Sequence, residues 1–366
     1  MALNTSRRKS RQIHIGDVAV GGKAPVSVQS MTTTNTADVD ATVAQITRLQ
    51  EAGCEIVRVA VPDPQAAEAI AKIKQNIAIP LIADIHFNWR LAVAAMEAGV
   101  DGLRINPGNI GGREKTLKVI DCARAHGVAI RIGVNSGSVE KDLLKKHGGP
   151  TPKAMVESTL RNIAIFEAAK FFDIKLSIKA SDVARTVESY RLIAAACDYP
   201  LHVGVTEAGG LFPGLVKSAL GIGTLLAEGI GDTIRVSLTR DPVEEIRAGF
   251  EILKAVNVRH VGPDIISCPT CGRCGIDLFS IVEQVERHAL TMRAPVKIAV
   301  MGCVVNGPGE AREADVGIAG GRGEGVLFKK GKIVKTIPEA NLVKNLLAEM
   351  DKLENQWKKK KGAGKK

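Results

Sequence analysis

Residues 81–135 read LIADIHFNWRLAVAAMEAGVDGLRINPGNIGGREKTLKVIDCARAHGVAIRIGVN. Three short apolar runs, Leu81–Ile85, Gly102–Asn106 and Ala129–Asn135, alternate with two helical patterns, Leu91–Ala98 and Thr116–His126. Each helical pattern stops at a glycine, Gly99 or Gly127, as suits the left-handed residue that closes a helix. A strand that is apolar on both faces belongs to a parallel sheet covered by helices. The same texture extends in both directions. Strands are expected at Val26–Met31, Ile56–Val61, Lys175–Ala180, Leu201–Thr206 and Thr233–Leu238, and helices at Val39–Ala52 and Val243–Val256, with further stops at Gly53 and Gly229. Eight strand–helix units in roughly 230 residues predict an α/β fold of the (β/α)8 TIM-type barrel kind over residues 1–256. The rival is an open doubly wound sheet. No G-x-G-x-x-G follows the first strand, which weakens it.

The chain has 366 residues, 45% of them hydrophobic but only 3% aromatic, so its core is built from Ala, Val, Ile and Leu. No apolar run reaches the length of a membrane span. The first twelve residues are polar and basic with no apolar stretch behind them, so a cytoplasmic location is expected. The net charge of +11 sits mostly at the ends, in Arg7, Arg8, Lys9 and Arg11 and in Lys358–Lys361, Lys365 and Lys366. Solvated tails on a near-neutral body are expected, which argues against nucleic acid. The sharper alternative is a basic arm touching RNA or an acidic partner.

Four expected barrel strands break the apolar rule alike. Arg58, Arg104, Arg131 and Arg235 each lie between apolar neighbours, and Lys179 adds a fifth cation. A charge inside a strand is costly unless paired. Sites of this fold form at the C-terminal strand ends, so converging cations there would hold phosphate or diphosphate, to which the planar fork of Arg is suited. Ion pairs with Asp or Glu are the plain alternative. Polar residues at strand ends include Asp84, His86, Asn106, Asn135, Ser181, Thr206 and Ser237. Glu207, just past a strand, is a candidate proton donor, though pairing with an Arg would equally account for it.

After Val256 the pattern changes. A linker over 257–267 leads to a second, smaller α/β domain over 268–350, with a helix at Ile276–Met292, a strand at Val296–Met301, a glycine-rich stretch from Gly302 to Gly325 and a hairpin turning at Lys329–Lys332. A basic tail is expected over 351–366. Of seven cysteines, Cys54, Cys122 and Cys197 are scattered in apolar settings and read as inert. Cys268, Cys271 and Cys274 form a C-x-x-C-x-x-C run, Cys303 adds a fourth thiol, and Glu310 follows seven residues later. Thiolates suit zinc or iron–sulfur. The two separate C-x-x-C pairs of a zinc ribbon are missing, and the neighbouring glycines let backbone N–H groups approach sulfur, which favours a [4Fe–4S] cluster.

Ser267–Cys271, the run Gly302–Glu310 and the barrel strands together resemble the 4-hydroxy-3-methylbut-2-enyl diphosphate synthase family of the non-mevalonate isoprenoid pathway, from about Arg11 to Met350. The resemblance implies the two-domain bacterial form and reductive ring opening and dehydroxylation of 2-C-methyl-D-erythritol 2,4-cyclodiphosphate. It implies electrons from reduced flavodoxin or ferredoxin and a homodimer whose active site is shared between chains. It further implies a [4Fe–4S] cluster on Cys268, Cys271, Cys303 and Glu310, diphosphate contacts from Arg58, Arg104, Arg131 and Lys179 with Asn135, Arg235 and Ser237 nearby, and Glu207 as the active-site acid. Cys274 departs from the family pattern. Two other readings are a phosphate-binding barrel enzyme with a structural zinc, and an RNA-binding protein using its basic ends.

Overall fold

The computed structural model describes residues 6–303 and 311–363. They divide into two compact units, the break falling after Arg259. The first unit opens with a hairpin, β1 (Ile13–Ile15) and β2 (Val18–Val20), that the sequence reading did not anticipate. There follow β3 (Ser27–Met31), α1 (Val39–Glu51), β4 (Ile56–Ala60), α2 (Pro64–Gln75), β5 (Leu81–Asp84), α3 (Trp89–Glu97), β6 (Gly102–Ile105), α4 (Arg113–His126), β7 (Ala129–Asn135), α5 (Lys141–His147), α6 (Pro152–Ala168), β8 (Ile174–Lys179), α7 (Val183–Ala196), β9 (His202–Val203), α8 (Leu211–Ala227), β10 (Thr233–Ile234) and α9 (Pro242–Ala255). The last two barrel strands are shorter than expected.

The sheet runs β8-β7-β6-β5-β4-β3-β10-β9, all neighbours parallel, and a bridge from Leu176 to Leu201 joins its two ends into a ring. The barrel is therefore closed, and the open-sheet alternative falls. Helix boundaries follow local chemistry. Asp38, Asp63, Asn88, Thr151, Asp182 and Asp241 each accept a backbone N–H of the helix they begin, which satisfies an orphan donor. Gly53, Gly99, Gly127 and Gly229 follow helix ends at positive φ, as expected.

Strand alternation sends Val57, Val59, Leu103, Ile105, Ile130 and Ile132 out against the helices, all of them buried, and the residues between them inward. At the N-terminal end of the barrel, Ile13, Ile15 and Val20 of the hairpin pack on the inward-facing Ile56, Ile82 and Ala129 and seal it. The N-terminal arm is not a solvated tail. Arg7 meets the buried Asp232 at 2.9 Å, Arg8 donates to the carbonyls of Ala194, Cys197 and Tyr199, and Arg11 pairs with Asp198 at 2.7 Å.

The second unit is a mixed sheet with helices. Its elements are β11 (Asp264–Ser267), α10 (Leu278–Ala289), β12 (Lys297–Met301), β13 (Val316–Gly320), β14 (Glu324–Lys329), β15 (Lys332–Pro338) and α11 (Leu342–Ala363). The strands lie in sequence order: β11, β12 and β13 are parallel, whereas β14 and β15 are antiparallel additions. Ile281 and Val285 of α10 and Leu346 and Met350 of α11 close the core with Ile298, Val300 and Ile318.

Three expectations change here. The end of the 257–267 linker is β11, held by its ladder to β12. The glycine-rich stretch hides β13, whose glycines are steric: a Cβ on Gly317 would stand 2.4 Å from the Phe328 ring and 2.6 Å from the carbonyl oxygen of Ala299. The expected tail over 351–366 is helical as far as Ala363. Glu354, buried on that helix, accepts the backbone N–H groups of Arg293 and Ala294.

Candidate active site

Arg58, Arg104, Arg131 and Lys179 are all at most 9% exposed, and they face one another inside the barrel. Asp84 is their main countercharge, 3.0 Å from Arg104 and 3.6 Å from Arg58. Burial alone would raise its carboxyl, yet Arg58, His86, Arg104 and Arg131 hold it well below the usual carboxylate range. Arg235 pairs at 3.3 Å with Glu245, a buried acid on α9 that also accepts from Ser30 Oγ and the Leu238 backbone. The plain ion-pair reading thus holds in part, for Arg58, Arg104 and Arg235.

It does not hold for the rest. Arg131 Nε and Nη1 have no hydrogen-bond partner among the described residues. Burial, then Arg58 and Arg104, lowers the Arg131 guanidinium well below its ordinary value. Lys179 is lowered likewise by burial and then Arg131. Burial also pulls Arg58 down to about 10. Cations outnumber acids inside this barrel, and an arriving phosphate would relieve that strain. Two glycines make room for the cationic heads. A Cβ on Gly133 would lie 2.9 Å from Arg104 Nε, and one on Gly204 2.8 Å from Lys179 Nζ.

Asn135 ends β7, where its backbone N–H is capped by Ser138 Oγ. Ser237 is half-buried just beyond β10. Glu207 is exposed past β9 with φ of 51°, a left-handed conformation that costs a non-glycine residue about 1 kcal/mol or more and is concentrated at functional sites. His86 is exposed, its ring nitrogen 3.3 Å from Arg104. Sequence reasoning missed Lys175, 2% exposed in the barrel interior. It stands four residues before Lys179 on the same strand face, a period-two signal that was available. It also missed Glu245, whose role depends on a helix-to-strand contact.

In the second unit the cysteines gather at one sheet end. Cys268 follows β11 and Cys303 follows β12, and these strands are parallel neighbours with Ser267 opposite Val300. Cys268 Sγ accepts the Gly302 backbone N–H at 3.2 Å. The Cys271 thiol is exposed and lowered from its usual value by the Arg273 backbone N–H and side chain, which favours the thiolate that binds metal. Cys274 packs against the core as Cys268 does, but differs in that its Sγ donates to the Ile276 carbonyl at 3.3 Å. Among the described residues no three such side chains are gathered closely enough to hold one ion. Glu310 lies outside the described residues. The donor set still fits a thiolate-held cluster: soft ligands on two adjacent strand ends, with a backbone N–H on one sulfur. Elsewhere Cys54 is buried, its thiol pushed up to about 12 by burial, as an inert residue should be. No helix among the described residues is long and apolar enough to cross a membrane.

Comparison with known proteins bears on both units. The family described as the GcpE TIM-barrel domain matches residues 10–250, and the GcpE protein C-terminal domain matches 264–352. The 4-hydroxy-3-methylbut-2-en-1-yl diphosphate synthase (flavodoxin) of Desulfotalea psychrophila is 58% identical over 97% of this chain and 98% of its own length. That of Geobacter sulfurreducens is 59% identical over 95% and 98%, and that of Geobacillus thermodenitrificans 57% over 96% and 94%. Among solved structures, the dihydropteroate synthase of Stenotrophomonas maltophilia is 14% identical with a TM-score of 0.49, covering 68% of this chain and 98% of that one. On the two domain matches and the near full-length relatives, the chain belongs to the GcpE family.

Proposed function

We propose that this chain is a 4-hydroxy-3-methylbut-2-enyl diphosphate synthase, an oxidoreductase that takes electrons from flavodoxin. It opens the ring of 2-C-methyl-D-erythritol 2,4-cyclodiphosphate and removes a hydroxyl. The observation that carries the reading is the surplus of buried cations in the barrel. Arg58, Arg104, Arg131 and Lys179 grip the diphosphate, with Asn135, Arg235 and Ser237 around it. Asp84 and Glu245 hold Arg58, Arg104 and Arg235 in place before substrate arrives, so little reorganisation is needed on binding. Glu207 protonates the departing hydroxyl, which leaves as water.

Cys268, Cys271 and Cys303 would hold a [4Fe–4S] cluster with Glu310 as fourth ligand. When bound, that cluster supplies electrons one at a time. Cys274 stays outside the ligand set, its thiol engaged with Ile276 in the core. Fixing of the arm by Arg7, Arg8 and Arg11 weakens an RNA-binding reading, since those charges are already used within the protein, and leaves it mainly the exposed Lys358–Lys361 of α11.

The working unit is a dimer. On α8, Leu211, Phe212, Val216 and Leu220 are exposed, Phe212 at 80%, and a groove of about 420 Å³ lined by Leu215, Ala219, Ala248 and Ile252 runs beside them. A second copy would cover this face. Where the chain leaves the barrel, Arg259 is tied to the Val26 carbonyl and to Glu55 at 2.7–3.0 Å. Both partners precede barrel strands, so the exit is at the N-terminal end, away from the site. The stretch from Arg259 to Cys268 reaches about 30 Å at full extension, little more than the length of a barrel helix. Delivery of electrons to the partner's barrel removes that constraint.

Anaerobic purification followed by iron, sulfide and zinc analysis tests this reading. Four irons and four sulfides per chain are expected. Stoichiometric zinc without sulfide would favour the barrel enzyme with a structural zinc.

A further inference from the structure

Below Arg58 and Arg104 the barrel holds a second polar layer, of which the proposed reaction uses only Arg131. Arg131 is in register with Lys175 on the next strand, and His202 is in register with Thr233, which is opposite Ser27. In an eight-stranded barrel of shear eight, one step around the ring changes level by about one residue relative to the hydrogen-bond register. The inward-facing Gln29, Arg131, Lys175, His202 and Thr233 therefore come to within about one residue's rise, roughly 3 Å, of a common level. All five are at most 2% exposed.

Their polar atoms are left over. Lys175 Nζ, Arg131 Nε and Nη1, His202 Nε2 and both amide atoms of Gln29 are buried without a partner among the described residues. Buried polar groups in proteins are nearly always satisfied, and six orphaned atoms on four side chains of one layer point to an occupant. The charge of that occupant follows from its surroundings. The layer holds two cations and no acid. Asp84 lies in the layer above, where Arg58 and Arg104 already share it, and Glu245 is engaged with Arg235 and Ser30. The floor is the apolar hairpin of Ile13 and Ile15 packed on Ile56 and Ile82. His202 Nδ1 is 2.7 Å from Thr233 Oγ1.

We propose that this layer is an enclosed binding site for a monatomic halide anion, ligated by Lys175 Nζ, Arg131, His202 Nε2 and the Gln29 amide. Thr233 donates to Nδ1 of a neutral His202, so Nε2 carries its hydrogen and turns it on the anion. Gln29 does the same with its NH2 group. The Arg58–Asp84–Arg104 layer roofs the site, which selects for a small ion, and Arg131 stands between that ion and the diphosphate. Burial, then Arg131 and Arg58, lowers the Lys175 ammonium well below its ordinary value, and a bound anion offsets that cost. The site belongs to the barrel alone and stands whether or not the cluster reading does.

The test is crystallographic and thermal, on the full chain. Crystals grown in sodium bromide should show an anomalous bromine peak bounded by Lys175, Arg131, His202 and Gln29. In solution, bromide and chloride should raise the unfolding midpoint saturably above that in gluconate at equal ionic strength. Lys175→Met should lose both the peak and the halide dependence. Water-like density without anomalous signal would overturn the proposal in favour of a neutral, hydrated Lys175. A peak without halide dependence in solution, an adventitious ion only, would overturn it too, as would a peak unchanged in Lys175→Met. Should that variant fail to fold, the peak and halide dependence of the unaltered chain decide the matter.

Discussion

Arg131 is 2% exposed, with two guanidinium nitrogens unpartnered among the described residues, an arrangement that an anion would complete. A charge-assisted contact of this kind contributes about 1.5–3 kcal/mol. Arg131→Ala should therefore lower kcat/KM for the cyclic diphosphate roughly ten- to hundredfold while leaving iron content unchanged. Unaltered steady-state constants would remove Arg131 from the site. The thiols separate by the same reasoning. Cys274→Ser should retain iron, because its Sγ is turned to Ile276, whereas Cys271→Ser should lose it. Glu310→Ala should keep a partial complement on three thiolates yet be nearly inactive. Equal iron loss in Cys274→Ser and Cys271→Ser would make Cys274 the fourth ligand. Residues of this kind were legible in the sequence where chemistry clashed with texture, as with an Arg between two apolar neighbours. The buried acids that balance them were less so. Glu245 looks like any helix glutamate until α9 packs against Arg235.

Among the elements, strong periodicity survived and steric glycine misled. The parallel strands and their following helices were readable because burial on both faces leaves no alternative composition. β13 was not, because Gly317 and Gly320 read as loop residues although each is required by a neighbour. At Gly317 the added methyl would meet the Phe328 ring and a backbone carbonyl. Gly317→Ala should accordingly destabilise the second unit by about 1–3 kcal/mol, seen as a lowered thermal midpoint and weaker iron retention, with diphosphate binding by the barrel preserved. An unchanged midpoint would show that the sheet yields there at no cost. The C-terminal lysines misled in the opposite sense: a charge run suggested a tail, yet α11 carries Lys358–Lys361 on an exposed helical face, with Glu354 anchoring the other side.

For the whole molecule, the sequence disclosed two domains and their chemistry but not what fixes the chain's exit. Arg259 determines that through Val26 and Glu55, a contact between residues more than 200 apart in sequence. If electrons pass between chains, Arg131→Ala, impaired in substrate binding, and Cys271→Ser, nearly inactive, should complement when co-expressed and exceed the activity of either alone, since one of the two sites in a mixed dimer then pairs an intact barrel with an intact cluster. Demonstrated mixed dimers without recovered activity would confine the reaction to one chain. Turnover shows whether the cationic barrel and the cysteine domain together carry out a two-electron reductive opening of a cyclic diphosphate. Anaerobically purified full-length protein is given 2-C-methyl-D-erythritol 2,4-cyclodiphosphate and a measured amount of reduced flavodoxin, and product is quantified against flavodoxin oxidised. 4-Hydroxy-3-methylbut-2-enyl diphosphate is expected at one molecule per electron pair. Iron-replete protein that consumes no substrate, or that opens the ring without oxidising flavodoxin, would contradict it.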